Sequence, residues 1–321
     1  MEGENMYREK TIAVVVPAYN EEKLIGKVLE TMPDWVDKIV VVDDASKDNT
    51  VGEVKKFEEG LGGRLILLEH EKNQGVGGAI VTGYKWARDN NMDVTAIMAG
   101  DAQMDPRDLS KLLNPVVDGE ADYTKGNRLI TGGTWQLMPK RRYLGNAFLS
   151  LLTKIASGYW HVADFQCGYT AISLKALKVV NPDKVYKRFG MPNDFLVRLN
   201  VHYFRVKDIP IRAIYNIGEK SGVKMWKIVF TLSFLLLRMF FWRMKEKYII
   251  RDFHPLIFFY VLGIPCTTIG TAFGFYMFFY RLFVGRVAAS SALFATLLII
   301  AGLQFLLFAM WFDMEYNKDL K

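Results

Sequence analysis

The chain has 321 residues, enough for about two domains. A net charge of +7 and a pI near 9.1 suit a nucleic acid, a membrane surface or a phosphorylated substrate as partner. Two long uncharged runs near the C-terminus favour the membrane and argue against nucleic acid. The two cysteines, Cys167 and Cys266, lie far apart, which argues against a disulfide framework and a zinc cluster.

Short apolar runs alternate with helical patterns over the first two thirds of the chain. Strands are predicted at 11–17, 38–43, 64–69 and 94–99, with an edge strand at 121–125 and a further strand at 202–211. Helices are predicted at 21–32, from 50 onward, and at 77–90, 108–117 and 141–155. Because this alternation is typical of a parallel sheet covered on both faces, the sequence predicts an α/β fold.

The C-terminal part carries the membrane signals. Residues 255–280 and 287–312 are each uncharged for longer than the ~20 residues that cross a bilayer, so two spans joined by a tight turn are predicted. Residues 224–243 are apolar and aromatic but contain Lys227 and Arg238. They suit a helix in the membrane interface. The alternative, a third span, carries a cost of about 2.5 kcal/mol for Arg238 in mid-run.

Charge sets the predicted orientation. By the positive-inside rule, the basic residues before the first span place the N-terminal domain in the cytosol; they are Arg238, Arg243, Lys245, Lys247 and Arg251. The polar first ten residues predict no signal peptide. The expected organisation is a catalytic domain at 1–222, an interfacial region at 223–252 and a transmembrane hairpin at 253–314. Gly270 and Gly274 permit close helix packing, and hence a homo-oligomer through the spans.

Four polar or glycine-rich loops follow the first four predicted strands. They are Pro17-Ala-Tyr-Asn-Glu21, Asp43-Asp-Ala-Ser-Lys-Asp48, Asn73-Gln-Gly-Val-Gly-Gly-Ala79 and Gly100-Asp-Ala-Gln-Met-Asp-Pro106. The carboxyl ends of parallel strands meet at one edge of an open sheet, and ligands bind in the crevice there. These four loops are therefore predicted to share one crevice.

The fourth loop is the candidate metal site. A buried strand ends at Gly100 and leads directly to Asp101 and Gln103, whose oxygen atoms suit Mg²⁺ or Mn²⁺ bound together with a diphosphate. Taken alone, a strand-to-helix turn with Asp105 as the helix cap is an equal alternative. The other loops in the same crevice shift the interpretation toward the metal, and Asp105 remains the predicted helix cap.

The second and third loops suit a nucleotide. Asp43 and Asp44 end an apolar strand, where an unpaired carboxylate is costly, so they are expected to meet nucleobase N–H groups or ribose hydroxyls. The alternative is that they cap the helix that begins near Thr50. The glycines from Gly75 to Gly78 allow a close approach to a phosphate or sugar. The absence of GxGxxG and Walker A patterns argues against a nicotinamide enzyme and a P-loop nucleotidase.

Basic residues outside the four loops are candidates for phosphate binding. Arg128 follows the predicted edge strand and could grip a diphosphate bidentately, or it could lie in solvent. Arg212, Lys220 and Lys224 precede the interfacial run, at the depth expected for a phosphate carried on a lipid. Ordinary attraction to anionic head groups is an equal alternative for these three residues.

Two acidic residues and four histidines have less specific surroundings. Asp164 and Asp194 lie in apolar or loop context, where each could orient a sugar hydroxyl or bind a backbone turn. The histidines have no metal-ligand spacing and are interpreted as structural or surface residues; they are His70, His161, His202 and His254.

Together the motifs resemble the family 2 glycosyltransferases of GT-A fold, and within them the polyprenyl-phosphate glycosyltransferases typified by dolichyl-phosphate mannose synthase. The motifs occur in family order within residues 10–225; they are Pro17-Ala-Tyr-Asn-Glu21, Val42-Asp-Asp-Ala-Ser46, Asn73-x-Gly-x-Gly-Gly-Ala79 and Asp101-Ala-Gln103. The resemblance implies a Rossmann-like, mainly parallel catalytic domain. It also implies metal-dependent, inverting transfer of a hexose from a nucleotide sugar to a dolichyl or polyprenyl phosphate.

The resemblance also implies residue roles. Asp101 and Arg128 would be catalytic, with Asp101 and Gln103 holding Mg²⁺ or Mn²⁺ and Arg128 binding the phosphates. The nucleotide sugar would be bound by Pro17, Tyr19, Asn20, Glu21, Asp43, Asp44, Gly75, Asp101, Ala102, Arg128 and Asp194. The acceptor phosphate would be bound by Arg212, Lys220, Ser221 and Lys224. GDP-mannose is the first expected donor, and UDP-glucose is the alternative.

Three departures from the family pattern limit these expectations. Ala99 stands where the family has a first acid, so the metal keeps fewer protein ligands. Cys167-Gly-Tyr-Thr170 replaces the common Ser-Gly-Phe-Arg and removes an arginine. The missing Gln-x-x-Arg-Trp argues against a processive polysaccharide synthase. Transfer to another lipid, such as diacylglycerol, remains an alternative. So does a membrane-bound scaffold that binds a nucleotide sugar without catalysis.

Overall fold

The computed structural model describes residues 7–129, 140–188, 190–212, 214 and 225–321, without the side chains of 140–146 and 225–228. The chain divides into two compact units. The first unit comprises Met1–Phe240 with Leu320–Lys321, and the second unit comprises Phe241–Asp319. The predicted division at 222 and 252 remains a prediction.

The described part of the first unit is built on a seven-stranded sheet. The strands are β1 Ile12–Ala18, β2 Lys38–Asp43, β3 Leu65–Glu69, β4 Val94–Ile97, β5 Tyr123–Asn127, β6 Thr170–Ser173 and β7 Val206–Pro210. Their order across the sheet is β3-β2-β1-β4-β6-β5-β7. Neighbours pair in parallel, except that β6 runs antiparallel to both β4 and β5. The predicted α/β fold with a mainly parallel sheet is therefore confirmed.

Helices connect these strands. The described α-helices up to the end of the first unit are α1 Ile25–Glu30, α2 Thr50–Lys55, α3 Glu58–Leu61, α4 Val76–Asp89, α5 Leu109–Val117, α6 Lys140–Ser157, α7 Leu174–Val179, α8 Met191–Val201 and α9 Met225–Lys245. Helix α9 begins in the first unit and ends in the second.

Both faces of the sheet are covered. Successive side chains of a strand point to opposite faces, and the residues of β1 alternate accordingly between two apolar cores. Val15 belongs to the core that includes Tyr84 of α4 and Phe195 of α8. Val14 and Val16 belong to the core that contains residues of α1 and α5. Burial on both faces explains why the sequence of β1 is apolar throughout.

The edge position predicted for residues 121–125 is wrong. Strand β5 lies inside the sheet, between β6 and β7, and all of its residues are buried. Its polar groups have partners inside the protein. Thr124 Oγ1 donates to the Leu112 carbonyl, and Asn127 Nδ2 donates to Asp208 Oδ2 at 2.7 Å. The four-residue strand β6 carries too short a pattern to be predicted.

The predicted helix at 21–32 begins later than expected, at Ile25. The backbone N–H groups just before it are used by the loop after β2. The N–H of Glu21 donates to Thr50 Oγ1 at 2.8 Å, and the N–H of Glu22 donates to Asp48 Oδ2 at 3.2 Å. This stretch therefore holds the first two loops together, and its one α-type hydrogen bond, from the Ile25 N–H to the Glu21 carbonyl at 2.9 Å, leads into α1.

The second unit contains two long helices, α10 Leu256–Phe283 and α11 Ala289–Tyr316. Each has 28 residues, and their mean hydropathies of 1.8 and 2.4 make both long and apolar enough to cross a membrane. Gly270 packs against α11 of the same chain, because a Cβ at this position would lie 2.9 Å from Leu298 Cβ. The predicted oligomer through Gly270 and Gly274 remains a prediction.

A buried polar cluster joins the end of α9 to the end of α11. Arg243 donates to both carboxylate oxygens of Asp313, at 2.8 and 3.0 Å, and both side chains are fully buried. The Tyr248 hydroxyl also donates to Asp313, and Asn317 Nδ2 donates to Tyr248 Oη at 2.9 Å. Lys247 Nζ donates to Asn317 Oδ1 at 2.6 Å. We call these five residues the Asp313 cluster.

Candidate active site

The carboxyl ends of β1, β2 and β4 and the start of α4 surround a cavity of about 380 Å³. The site residues predicted from the sequence that line it are Pro17, Tyr19, Glu21, Asp44, Gly75 and Asp101. The lining residues that were not predicted are mainly small; they are Ala18, Asn73, Val76, Ala79, Ala99 and Gly100. The four loops predicted to share one crevice therefore do so.

Three loops of the crevice contain a non-glycine residue in the left-handed backbone region. Asn20 has φ 57°, Ala45 has φ 59° and Ala102 has φ 56°. A side chain with a Cβ rarely adopts this conformation, which costs of order 1 kcal/mol and persists where the surroundings impose it. Such residues cluster at functional sites. Their occurrence after β1, β2 and β4 supports the crevice as the functional region.

Asp101 reaches the cavity directly after β4. Its Oδ1 accepts a hydrogen bond from the Gln103 backbone N–H at 3.1 Å, while Oδ2 has no hydrogen-bond partner among the described residues. Burial raises the pKa of Asp101, and the hydrogen bond from Gln103 opposes this effect only in part. A nearby cation would relieve the cost of holding this carboxylate charged in a half-buried position.

The donor set around Asp101 fits Mg²⁺ or Mn²⁺ that shares its ligands with substrate phosphates and water. Among the described residues no group of three or more His, Cys, Asp or Glu side chains could hold a metal alone. Mg²⁺ commonly binds through one or two carboxylates plus substrate phosphates. Gln103 does not line the cavity. Asp105 caps the next helical turn by accepting from the Arg107 N–H at 3.0 Å, as predicted.

Asp44 holds the third loop against the second. It is buried, and its carboxylate accepts from the backbone N–H groups of Gln74 and Gly75, each at 2.8 Å. His70 Nδ1 lies 2.8 Å from Asp44 Oδ1, and its Nε2 lies 2.8 Å from Thr82 Oγ1. The His70 ring therefore bridges Asp44 to Thr82 of α4. Asp44 therefore shapes the rim of the cavity.

Asp43 and Asn20 lie behind the lining. Asp43 Oδ2 accepts from the Ser46 N–H at 3.0 Å, and Oδ1 is buried with no hydrogen-bond partner in the described structure. Asn20 Oδ1 accepts from the Lys47 N–H at 2.7 Å, while its own N–H donates to Ser46 Oγ at 2.9 Å. Both residues join the first loop to the second.

Two glycines in the third loop have different roles. Gly75 has φ 86°, a conformation that side chains with a Cβ rarely adopt, and it forms the turn that starts α4. Gly77 allows close packing within the protein, since a Cβ there would lie 2.7 Å from the Lys187 carbonyl carbon. The sequence interpretation of backbone approach to a ligand therefore suits Gly75, which lines the cavity, better than Gly77.

Arg128 lies at the same edge of the sheet as Asp101. It follows the carboxyl end of β5, which runs parallel to β4 and lies two strand spacings away, about 10 Å. Its side chain is 30% exposed and forms a two-pronged ion pair with Asp164, with Nε at 2.7 Å and Nη2 at 3.0 Å. Strand β6 is antiparallel to β5, so β6 begins at the edge of the sheet where β5 ends. The loop that carries Asp164 leads into β6 at this same edge.

Arg128 is oriented by Asp164, and the buried Lys125 lies nearby; the sequence interpretation missed this arrangement. Burial alone would raise the pKa of Asp164, but the hydrogen bonds and charge of Arg128 hold it below its ordinary value. Lys125 is fully buried, donates to the Cys167 carbonyl, and has its pKa lowered by burial. The Asp164 carboxylate therefore remains ionised and fixes the direction of the Arg128 guanidinium.

Comparison with known proteins agrees with this geometry. The model of the family described as "Glycosyl transferase family 2" matches residues 13–180, slightly more than half of the chain. The chain belongs to glycosyl transferase family 2. It is a glycosyltransferase, and the predicted resemblance to the polyprenyl-phosphate group is confirmed by its relatives.

Two relatives of this glycosyltransferase are named for transfer to lipid phosphates. The UDP-N-acetylglucosamine–dolichyl-phosphate N-acetylglucosaminyltransferase of Methanococcus voltae is 33% identical over 220 residues, which cover 65% of this chain and 87% of the relative. The undecaprenyl-phosphate mannosyltransferase of Micrococcus luteus is 28% identical over 214 residues, 65% of this chain and 86% of the relative.

A solved structure shares the fold of this glycosyltransferase. The glucosyl-3-phosphoglycerate synthase of Mycobacterium tuberculosis, crystallised with Mn²⁺, uridine diphosphate and phosphoglyceric acid, superposes with a TM-score of 0.53. The match covers 73% of this chain and 78% of that protein at 17% identity. At this identity the likeness shows the GT-A fold alone.

The remaining predicted residues of the glycosyltransferase lie away from the cavity or outside the described part. Asp194 is buried in α8, where it accepts from the Tyr186 N–H at 2.7 Å and from Arg198 Nε at 3.1 Å. The Arg212 N–H donates to Asp108 Oδ2 at 2.8 Å, and the Arg212 side chain is exposed. Lys220, Ser221 and Lys224 lie outside the described residues, so their predicted acceptor role remains a prediction.

Proposed function

We propose that this glycosyltransferase transfers a hexose from a nucleotide sugar to a polyprenyl or dolichyl phosphate at a membrane surface, with inversion at the anomeric carbon. One observation carries the proposal. The same chain combines a cavity with an open Asp101 carboxylate oxygen and two helices long and apolar enough to cross a bilayer. A lipid-bound acceptor is the substrate class that uses both features.

The nucleotide sugar is proposed to occupy the cavity at the carboxyl edge of the sheet. Pro17, Tyr19 and Glu21 from the first loop, and Asp44 and Gly75 from the next two, line the space for the nucleoside. Tyr19 is 42% exposed, so its ring is available to a nucleobase. Contacts of Asn20, Asp43, Ala102 and Asp194 with the donor remain predictions, because these residues do not line the cavity.

The diphosphate is proposed to lie between Asp101 and Arg128. Asp101, assisted by Gln103, would hold Mg²⁺ or Mn²⁺, and the bound metal would stabilise the negative charge of the leaving diphosphate as a Lewis acid. Arg128, whose guanidinium is oriented by its ion pair with Asp164, is the proposed cation beside the phosphate oxygens. A fixed positive charge of this kind stabilises negative charge as it develops during bond breaking.

The acceptor phosphate supplies the nucleophile. One of its oxygens forms a bond to the anomeric carbon as the bond from that carbon to the nucleoside diphosphate breaks. A lipid phosphate is already an anion and needs no deprotonation, so the reaction requires no strong general base. The protein's task is to align two negatively charged partners. Arg212, Lys220, Ser221 and Lys224 are the proposed residues for the acceptor.

The identity of the sugar is the finer part of the proposal. Mannose from GDP-mannose is our first expectation, and glucose from UDP-glucose is the alternative. The M. voltae relative is named for N-acetylglucosamine and the M. luteus relative for mannose, so UDP-N-acetylglucosamine is a third donor to test.

The catalytic unit is proposed to lie on the cytosolic face. The basic residues that precede the first apolar helix support this orientation by the positive-inside rule; Arg238, Lys245 and Arg251 are examples. Helix α9 is proposed to lie in the membrane interface. One of its faces packs on protein, since a Cβ at Gly190 would lie within 3.0 Å of both Leu232 and Leu235. This packing favours the interface over a third span.

A transfer assay tests the proposal. Purified protein in detergent with Mg²⁺ or Mn²⁺ and dolichyl phosphate should convert one of the three labelled nucleotide sugars into a chloroform-soluble labelled lipid. The Asp101→Ala variant, checked for correct folding, is the matched negative control. If neither metal and none of the donors gives a labelled lipid while the protein is folded, transfer to a polyprenyl phosphate is wrong.

A further inference from the structure

Helix α6 in the first unit exposes apolar side chains along one face. Phe148 is 52% exposed and Leu151 is 47% exposed. The residues buried on the opposite face are Leu149, Thr153 and Ala156. Residues three and four apart share a face of a helix, so the exposed pair lies on one side and the buried set on the other. A soluble surface helix has polar residues where α6 has Phe148 and Leu151.

Helix α9 has the same arrangement within the first unit. Phe230 and Phe234 are 70% and 73% exposed, and Leu237 is 54% exposed. Their spacing of four and three residues places them on one face. Leu232 and Leu236, each 2% exposed, occupy the buried face. Helix α9 is thus apolar on both faces, and one of these faces is exposed.

The first turn of α8 lies between these two helices. Gly190 precedes α8 and packs against α9, since a Cβ there would lie 2.5 Å from Leu235 Cδ2. Three residues later, Asn193 Nδ2 donates to Thr153 Oγ1 of α6 at 3.0 Å, inside the protein. Gly190 and Asn193, only three residues apart, therefore contact α9 and α6 respectively. The two exposed apolar stripes therefore belong to helices that both contact the start of α8.

We propose that α6 and α9 form a docking face that inserts into an anionic lipid bilayer, with Phe148 and Leu151 entering the same leaflet as Phe230, Phe234 and Leu237. The inference deepens the proposed function and rests on its membrane location. The new element is α6, a helix that lies far from the two apolar helices in sequence and carries no spanning pattern.

Two observations commit this face to lipid. Helix α9 is followed along the chain by the two helices that could cross a membrane, so its exposed stripe directly precedes the membrane segment in sequence. Arg238 is exposed directly after Leu237, in a chain with a net charge of +7. An apolar stripe beside basic residues is the pattern of helices that lie in an anionic interface.

The function of the docking face would be to fix the catalytic unit close to its lipid substrate. Helix α6 follows Arg128 along the chain, and its buried face is tied to the same unit that carries the cavity. Docking at both helices restrains the unit more than one tether does. We therefore expect α6 to affect the use of an acceptor held in a bilayer and to have no effect on a short, water-soluble acceptor.

Spin-label accessibility tests the insertion directly. The full chain with Cys266→Ala, in nanodiscs of phosphatidylcholine and phosphatidylglycerol, is labelled at Phe148→Cys or Leu151→Cys; Cys167 is buried. Val179→Cys at the end of α7, where Val179 is 45% exposed, is the matched control. Labels on α6 should be accessible to oxygen and shielded from a water-soluble nickel chelate, and the Val179 label should show the reverse.

Kinetics test the consequence. Phe148→Ser with Leu151→Ser should raise KM for a polyprenyl phosphate in nanodiscs about tenfold, given the apolar area withdrawn from lipid. The kcat and KM for a short soluble isoprenyl phosphate should stay unchanged. Phe148→Trp, which keeps the apolar surface, should behave like the parent, and Val179→Ser should have no effect.

The outcomes separate this inference from the proposed function. If labels on α6 are as accessible to the nickel chelate as the Val179 label, the docking of α6 is wrong. If both reagents are excluded, a protein surface covers α6, and the lipid assignment is again wrong. If the labels lie in lipid but no donor gives a labelled lipid product, the docking face stands and the proposed reaction fails.

Discussion

The cavity of the first unit and the Asp313 cluster of the second unit both hold carboxylates, but the two regions satisfy these carboxylates with hydrogen bonds to different degrees. At the cavity, Asp101 leaves one carboxylate oxygen without a hydrogen-bond partner among the described residues, and Asp43 Oδ1 lies buried in the same condition. In the cluster, the Asp313 carboxylate accepts from Arg243, Tyr248 and Asn317. One region leaves acceptors open, and the other uses them.

This difference distinguishes a region that binds a ligand from a region that stabilises the fold. Buried polar groups in proteins are nearly always hydrogen-bonded, so an open carboxylate oxygen that faces a cavity favours a ligand or ion as its partner. The cavity is open and lies at the sheet edge where ligands bind, whereas the Asp313 cluster is closed by its own side chains. Substitutions at the cavity should therefore reduce activity without unfolding the protein. Substitutions in the cluster should reduce stability.

The largest expected effect is in the cluster. Asp313→Ala should lower the free energy of unfolding by about 3–5 kcal/mol, because Arg243 then stays buried without this counter-charge. Denaturant titration of the purified protein in detergent measures the change. The double variant Arg243→Met with Asp313→Leu removes both charges and should recover most of the loss. A single variant as stable as the parent would contradict a structural role for the pair.

The next effect is at the cavity. Asp101→Asn should lower kcat by about 10²–10³-fold, because the neutral amide cannot stabilise the metal and the leaving diphosphate in the same way. The unfolding midpoint should stay unchanged. Asp105→Asn is the matched control, since Asp105 lies in the same loop but caps a helical turn and pairs with Arg107 instead of lining the cavity. Equal losses of activity in the two variants would mean that the loop matters through its shape alone.

The sequence predicts features that depend on local pattern. The carboxyl ends of apolar strands identify the loops around the cavity, and five consecutive polar or small residues such as Pro17 to Glu21 suffice to mark one of them. The long uncharged runs likewise identify α10 and α11. In both cases the physical cause is the burial of an apolar segment. This burial requires consecutive residues to be apolar, so the sequence itself shows it.

Features that depend on distant pairing could not be predicted. Asp44 and His70 are 26 residues apart, Arg128 and Asp164 are 36 apart, and the Arg243–Asp313 pair spans 70 residues. Nothing in the pattern around either partner specifies the other. The same reason explains β5, whose polar residues indicate an exposed edge until the strands on both sides are known.

Asp164 combines both features, because its carboxylate is hydrogen-bonded at both oxygens and lies at the same edge of the sheet as the cavity. Asp164→Asn should lower kcat/KM for the nucleotide sugar by up to about 100-fold, since Arg128 loses the ion pair that directs its guanidinium. If Asp164 acts through Arg128, the double variant with Arg128→Lys should be no worse than Arg128→Lys alone. Additive losses would show instead that Asp164 contacts the substrates itself.

Counted per pH unit, the smallest expected effect is a pH dependence of the Asp313 cluster. Burial, together with the positive charge of Arg243, lowers the pKa of Lys247 to about 6 from its ordinary 10.5. Between these values the unfolded chain binds a proton that the folded chain does not. Stability should therefore rise with pH in this window, by up to about 1.4 kcal/mol per pH unit, and the contribution should level off below pH 6.

Unfolding titrations in detergent between pH 6 and 9 measure this slope. Lys247→Met should reduce the slope of stability against pH by the contribution of one bound proton, because methionine has no charge in either the folded or the unfolded state. Lys245→Met, at an exposed position two residues earlier, should leave the slope unchanged. If the slope in Lys247→Met equals that of the parent, Lys247 is protonated in the folded protein. The Asp313 cluster would then hold two cations, Arg243 and Lys247, and the single Asp313 carboxylate would have to balance both charges.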